Sequence, residues 1–125
     1  MKITFQDRTE WRNKAGQFHR EDGPAVIFPD GRQKWYYQDL LHREDGPAVI
    51  DSDGSNFYCQ NGFYHRDDGP AVIKPDGYQA YYKNGHRHRL DGPAVIFSSG
   101  AKEHWVNSEY LTEKEFRRKY PLKEN

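Results

Sequence analysis

The heptapeptide His19-Arg20-Glu21-Asp22-Gly23-Pro24-Ala25 returns in near-identical form at His42, His65 and His88, each copy 23 residues after the one before. A short fixed period constrains the architecture more than any other feature. Each unit is one supersecondary element that can bury its apolar side only against its neighbours. The period restricts function as well. Residues present in every unit build the unit, and are poor candidates for a lone active site.

The repeat reads His-Arg-(Glu/Glu/Asp/Leu)-Asp-Gly-Pro-Ala-Val-Ile in its four copies. Pro-Ala-Val-Ile is extended in character, since proline fixes its own φ and β-branched residues favour strands. Turn signals follow at Pro29-Asp30-Gly31, Ser52-Asp53-Gly54, Pro75-Asp76-Gly77 and Ser98-Ser99-Gly100. A second strand is predicted over 32–37, 55–60, 78–83 and 101–106, closed by a further tight turn such as Gln60-Asn61-Gly62 or Lys83-Asn84-Gly85. The expected fold is mainly β: an elongated antiparallel meander of hairpin repeats with a short C-terminal capping helix. Residues 1–125 form one domain, with cap strands over 1–18, four repeats over 19–111 and the helix over 112–120.

Both ends depart from the pattern. Trp11 to Phe18 resembles a second strand and turn shifted by one residue, and Met1 to Gln6 supplies an initial strand. Leu111 falls where a fifth histidine is due, and Thr112-Glu113-Lys114-Glu115 is a capping box that opens a helix ending before Pro121. Phe116 and Tyr120, four apart, share one face of it.

Alternation along the strands predicts two faces. Ala25 and Ile27 point one way, Val26 and Phe28 the other. Because Phe28 is matched by Asp51, Lys74 and Phe97, that second face is expected to be wet. Two adjacent aromatic columns, Trp35/Tyr58/Tyr81 and Tyr36/Cys59/Tyr82/Trp105, must lie on opposite sides. One packs on Ala and Ile, and the sequence leaves open which.

Only 34% of residues are hydrophobic and 30% are charged, a polarity that by itself would suggest disorder. Three Trp, nine Tyr and seven Phe held in register argue instead for an ordered, thin structure with a shallow core. Lys plus Arg and Asp plus Glu number 19 each, so no overall basic field draws in nucleic acid. The single Cys59 has no internal disulfide partner, no apolar run is long enough to span a bilayer, and Met1 to Asp7 lacks the apolar core of a signal peptide. The expectation is a soluble cytoplasmic protein.

Tyr81-Tyr82-Lys83-Asn84-Gly85-His86-Arg87-His88, followed by Gly92, Val95 and Ser99-Gly100, resembles the MORN repeat. Closer still are the divergent Asp-Gly-Pro-Ala repeats of small bacterial and bacteriophage proteins, many of which end in a helix like Leu111-Thr112-Glu113-Lys114-Glu115-Phe116. The resemblance covers about residues 12 to 111. It implies a meander of hairpins with roles in protein binding or membrane association, and no catalysis.

Catalytic and metal chemistry find little support. Two strands per unit, about 4.8 Å each, set successive histidines roughly 10 Å apart, too far to share an ion whose ligands lie about 2.0–2.1 Å away. His86 and His88 are close in sequence but have no Cys nearby. The Asp22, Asp45, Asp68 and Asp91 column is likewise too dispersed for a two-metal centre, and Cys59 lacks a base. No metal and no cofactor are expected. Each columnar Asp is read as accepting backbone N–H bonds in its turn, braced by the matching Arg, and each His as tying its loop to a neighbouring turn.

Binding is the remaining expectation. The candidates are the arginine ladder Arg43, Arg66 and Arg89, the aromatics Tyr37, Tyr58 and Tyr81, and the outer residues Phe28 and Phe97, with Tyr78 also expected to be exposed. The first reading is a non-enzymatic protein-binding module. On the resemblance, it is a small phage-type inhibitor or modulator of a host protein such as a defence nuclease complex, acting by occupancy. The alternatives are single-stranded nucleic acid, stacked on aromatics, and anionic lipid, met by the basic cluster Lys114, Arg117, Arg118, Lys119 and Lys123. Net neutrality and three interspersed glutamates weaken both. A homodimer through edge strands or the C-terminal helix is also compatible with the chain.

Overall fold

The computed structural model describes residues 1–122; Lys123 of the basic cluster lies outside them. The N-terminal cap supplies β1 (Lys2–Thr4) and β2 (Thr9–Trp11). The first unit adds β3 (Val26–Ile27), β4 (Gln33–Lys34), β5 (Tyr36–Tyr37) and β6 (Leu40–Leu41). The second adds β7 (Val49–Ile50), β8 (Asn56–Phe57), β9 (Cys59–Gln60) and β10 (Phe63–Tyr64). The third repeats this with β11 (Val72–Ile73), β12 (Gln79–Ala80), β13 (Tyr82–Lys83) and β14 (His86–Arg87). The last contributes β15 (Val95–Ile96), β16 (Lys102–Val106) and β17 (Glu109–Leu111), before helix α1 (Glu113–Lys119).

Eleven of these strands form one antiparallel sheet, in the order β1-β2-β3-β4-β7-β8-β11-β12-β15-β16-β17. The pairs β5–β6, β9–β10 and β13–β14 are separate hairpins beside it. The predicted continuous second strand is therefore divided at Trp35, Tyr58 and Tyr81. The cause is a change of partner. Trp35 N–H donates to Ala48 of the following unit, whereas its carbonyl accepts from His42 on its own return strand. Tyr58 and Tyr81 repeat this with Ala71 and His65, and with Ala94 and His88. After the last of these units helix α1 takes the place of a following hairpin, and β16 runs unbroken through both regions.

Two turn types alternate. In the first, Gly31, Gly54, Gly77 and Gly100 hold φ of 90–98°, the left-handed residue that ends a three-residue hairpin loop. In the second, two successive residues have positive φ (Gln38-Asp39, Asn61-Gly62, Asn84-Gly85 and Asn107-Ser108), the signature of the type I′ turn that matches strand twist. The hairpin that follows β2 is one residue longer than its counterparts: His19 N–H reaches Trp11 carbonyl, eight positions back, where His42 reaches Trp35 at seven. That extra residue explains the shifted register of the N-terminal segment.

The core is a row of small side chains. Ala25, Ala48, Ala71 and Ala94 are fully buried, as is Ala80. The face carrying the valines is not wet. Val26, Val72 and Val95 are buried, and Val72, Ala80 and Val95 form a cluster against Phe57, Tyr78, Tyr82, Phe97 and Trp105. The second hairpins and bulky neighbours cover this face, which alternation within one unit does not reveal. By the same register, Tyr36/Cys59/Tyr82/Trp105 belong with the valines, and Trp35/Tyr58/Tyr81 with Ala and Ile.

Helix α1 starts at the predicted capping box, with Thr112 Oγ1 and Glu115 each accepting from the other's backbone N–H. It packs on β16 and β17. Phe116 is buried and stacks on His104 at 4.2 Å, with Tyr120 at 5.5 Å on the same face. Among the described residues no helix is long and apolar enough to cross a membrane.

Candidate functional site

The heptapeptide loops project along one edge, and a single arrangement recurs in all four. Arg20, Arg43, Arg66 and Arg89 fold back over Trp11, Trp35, Tyr58 and Tyr81, with guanidinium carbons 3.8–4.1 Å from the ring centres. In each, Nε donates to the Asp two residues on at 2.9–3.1 Å, and Nη1 to the Pro carbonyl four residues on at 3.1 Å. The backbone glycine lies against the other face of the guanidinium. A Cβ on Gly23, Gly46, Gly69 or Gly92 would sit 2.8–3.0 Å from the Arg Cζ.

This explains the Gly in Asp-Gly-Pro-Ala without recourse to backbone strain, since none of the four has a left-handed φ. Gly69→Ala is expected to dislodge Arg66 and cost about 1–2 kcal/mol through lost stacking and hydrogen bonds. In an Arg66→Ala background the same change becomes slightly stabilising, by about 0.5 kcal/mol, because alanine restricts the unfolded chain. Urea unfolding of the four proteins measures this coupling. Additive losses would show that the guanidinium does not dictate the glycine.

The histidines perform a second repeated task. The Nδ1 atoms of His19, His42, His65 and His88 accept from the backbone N–H of Gln38, Asn61, Asn84 and Asn107 at 3.0–3.1 Å. Each ring thereby holds the first residue of the next type I′ turn. Their Nε2 atoms face Glu21, Glu44 and Asp67 at 3.7, 3.6 and 3.1 Å in the first three copies. Cys59 is buried, and burial pushes its thiol up to about 11. Among the described residues, no three His, Cys, Asp or Glu side chains are grouped to hold a metal ion.

With the arginines folded inward, the loop edge shows carboxylates. The ladder arginines are 23–24% exposed, their aspartates 85–89%. Shallow grooves separate successive loops; Trp35, Tyr37, Glu44 and Asp45 line the first. Of the eight sequence-predicted binding residues, Arg43, Arg66 and Arg89 make the internal bonds described, and Tyr58 and Tyr81 lie half-buried beneath Arg66 and Arg89. Phe28 is half-buried under Arg32 at 4.0 Å, and Phe97 is half-buried with its ring 5.8 Å from Tyr78, itself half-buried. Tyr37 alone of the eight is exposed, against the rings of His19 and His42 at 4.5 and 6.3 Å.

A different set of apolar side chains reaches solvent. Along the row of second hairpins, Tyr37 is 44% exposed, Leu40 47%, Phe63 58%, Tyr64 39% and Tyr110 53%. Leu40 and Tyr37 are directly paired across β5–β6. Leu40 lies over Gly62 of the next turn, and Phe63 over Gly85 of the one after, where a Cβ would meet them at 3.3 and 2.9 Å. Tyr64 and Tyr110, paired with Cys59 and Trp105, lie on the opposite face, while Tyr37, Leu40 and Phe63 form one apolar strip across two successive hairpins. Its sequence signal is the column Leu40, Phe63, His86, Glu109, which varies in chemistry just after an otherwise regular turn. Compared with known proteins, the chain matches no family model and no curated protein sequence.

Proposed function

We propose that this chain is a non-enzymatic protein-binding module of MORN-like type, and that the strip Tyr37–Leu40–Phe63 carries the contact. The observation behind this reading is the exposure of large apolar side chains, in register on successive hairpins, in a chain otherwise dominated by polar residues. Rigid aromatic and aliphatic anchors of this kind concentrate binding energy at interfaces. The loops beside the strip are anchored by arginine and histidine, so the surface is pre-organised and loses little entropy on binding. On the family resemblance, the partner is a host protein blocked by occupancy, of the sort a small bacteriophage inhibitor would target.

Nucleic acid fits this surface less well, because the loop edge exposes carboxylates while its arginines are bonded inward. In affinity capture from bacterial lysate, the wild-type chain should retain a protein that a Leu40→Lys/Phe63→Lys variant retains about tenfold less. A Lys74→Ala control at an exposed position just after β11 should behave as wild type. If the double variant captures the same proteins equally, the strip is not the contact. Salt-sensitive binding of a single-stranded oligonucleotide would favour the alternative.

A further inference from the structure

Two departures from the repeat converge on one place. Leu90 stands where the other loops have Glu21, Glu44 and Asp67, leaving no loop carboxylate beside Nε2 of His88. His86 stands where the earlier hairpins have Leu40 and Phe63. His88 and His86 both bond the Asn107-Ser108 turn that joins β16 to β17. Asn107 N–H donates to His88 Nδ1 at 3.1 Å, Ser108 N–H donates to the Arg87 carbonyl at 2.9 Å, and Ser108 Oγ contacts His86 Nδ1 at 2.9 Å. The corresponding Gly62 and Gly85 turns are held by the same backbone bond, by one histidine, and by an apolar side chain in place of a second histidine.

We propose that this last joint is an acid-sensitive hinge, opening the β16–β17 turn and loosening the helical cap behind it while the earlier joints stay closed. Nδ1 of His88 can accept from Asn107 only while it carries no proton. Protonation therefore replaces a hydrogen bond with two opposed N–H groups. In the first three copies Nε2 stands 3.1–3.7 Å from a loop carboxylate that braces the ring. At His88 the corresponding loop position is Leu90. The groove around His88 brings up Arg66, Arg89 and Lys83 against Asp67, Asp68 and Asp91. Both columnar aspartates in that set are bonded to their arginines. Lys83, paired with His86 across β13–β14, and Arg87 beside it are already cationic, so charge on His88 adds to theirs on one hairpin. Burial and Lys83 both hold the His88 pKa below its ordinary value, which places the opening on the acid side of neutrality.

Amide hydrogen exchange tests this, with rates corrected for the intrinsic effect of pH. Between pH 8 and pH 5, protection of Asn107 should fall about fivefold more than that of Asn61, about the worth of one backbone hydrogen bond. His88→Asn supplies an acceptor that does not titrate, and Asn107 protection should then be independent of pH. Leu90→Asp should restore the ion pair and lessen the loss at Asn107. Equal losses at Asn61 and Asn107, no loss at Asn107, a loss persisting in His88→Asn, or no effect of Leu90→Asp would each overturn the proposal.

Discussion

Replacing Phe116 with alanine should destabilise the chain by about 3–5 kcal/mol, the usual cost of deleting a buried aromatic side chain. Phe116 is 3% exposed and stacks on His104. The position explains the size of the effect. His104 continues the column Trp11, Trp35, Tyr58, Tyr81, each of which is covered by an arginine one loop later. Over His104 the helix presents Phe116 in place of an arginine loop. Loss of that ring uncovers the end of the stack, where a repeat protein has no further neighbour to bury its apolar surface. Urea unfolding followed by tryptophan fluorescence, with Trp105 in the affected unit, measures it. A loss below about 1 kcal/mol would mean that the helix is not a cap.

At the opposite end, Glu10→Ala should cost about 3 kcal/mol, in the range for removing one member of a buried ion pair. Glu10 is 2% exposed in β2, with Arg8 Nε at 2.6 Å and Arg12 Nε at 3.0 Å on its two oxygens. Both arginines are about one-third exposed, and solvent screening keeps the cost at the lower end of that range. The effect should depend on pH. Burial alone would raise the Glu10 carboxyl, but the hydrogen bonds and charges of Arg8 and Arg12 outweigh it and hold the group below its ordinary 4.5. A carboxyl with a depressed folded pKa contributes stability above the unfolded value, and loses it as pH falls through the folded value. The gap between wild type and Glu10→Ala should therefore be largest near neutrality and narrow below pH 4.5. Denaturant midpoints at pH 7 and pH 3 would show it; a constant gap would assign Glu10 to packing alone.

Much of the architecture was legible because its determinants are local. Asp-Gly and Asn-Gly impose left-handed backbone at fixed offsets, Pro-Ala-Val-Ile is extended, and Thr112 with Glu115 starts a helix whatever lies beyond it. Repetition then multiplies each local signal fourfold. The break at Trp35, Tyr58 and Tyr81 was not legible, because it arises from a change of hydrogen-bond partner between units, and every residue there has the propensity of a strand. The buried valine face was missed for a related reason. Asp51 and Lys74 mark that face as polar within a unit, whereas Val72 and Val95 are buried in a cluster whose rings come from three successive units.

The candidate site divides along the same line. That histidine ties its loop to a neighbouring turn, and that arginine braces aspartate, followed from residue types that recur together. Which arginines and aromatics remain free for a partner depended on where side chains end in space. The guanidiniums reach back to rings contributed eight or nine residues earlier, so Arg43 and Tyr58 serve the scaffold, while Leu40 and Phe63 reach solvent from the flank of a tight turn. The 23-residue period by itself determined a stack of hairpins with a helical cap, because turn and strand preferences act over a few residues. Only the tertiary structure decided which face is core and which side chains are surface, because burial is a property of neighbouring units meeting.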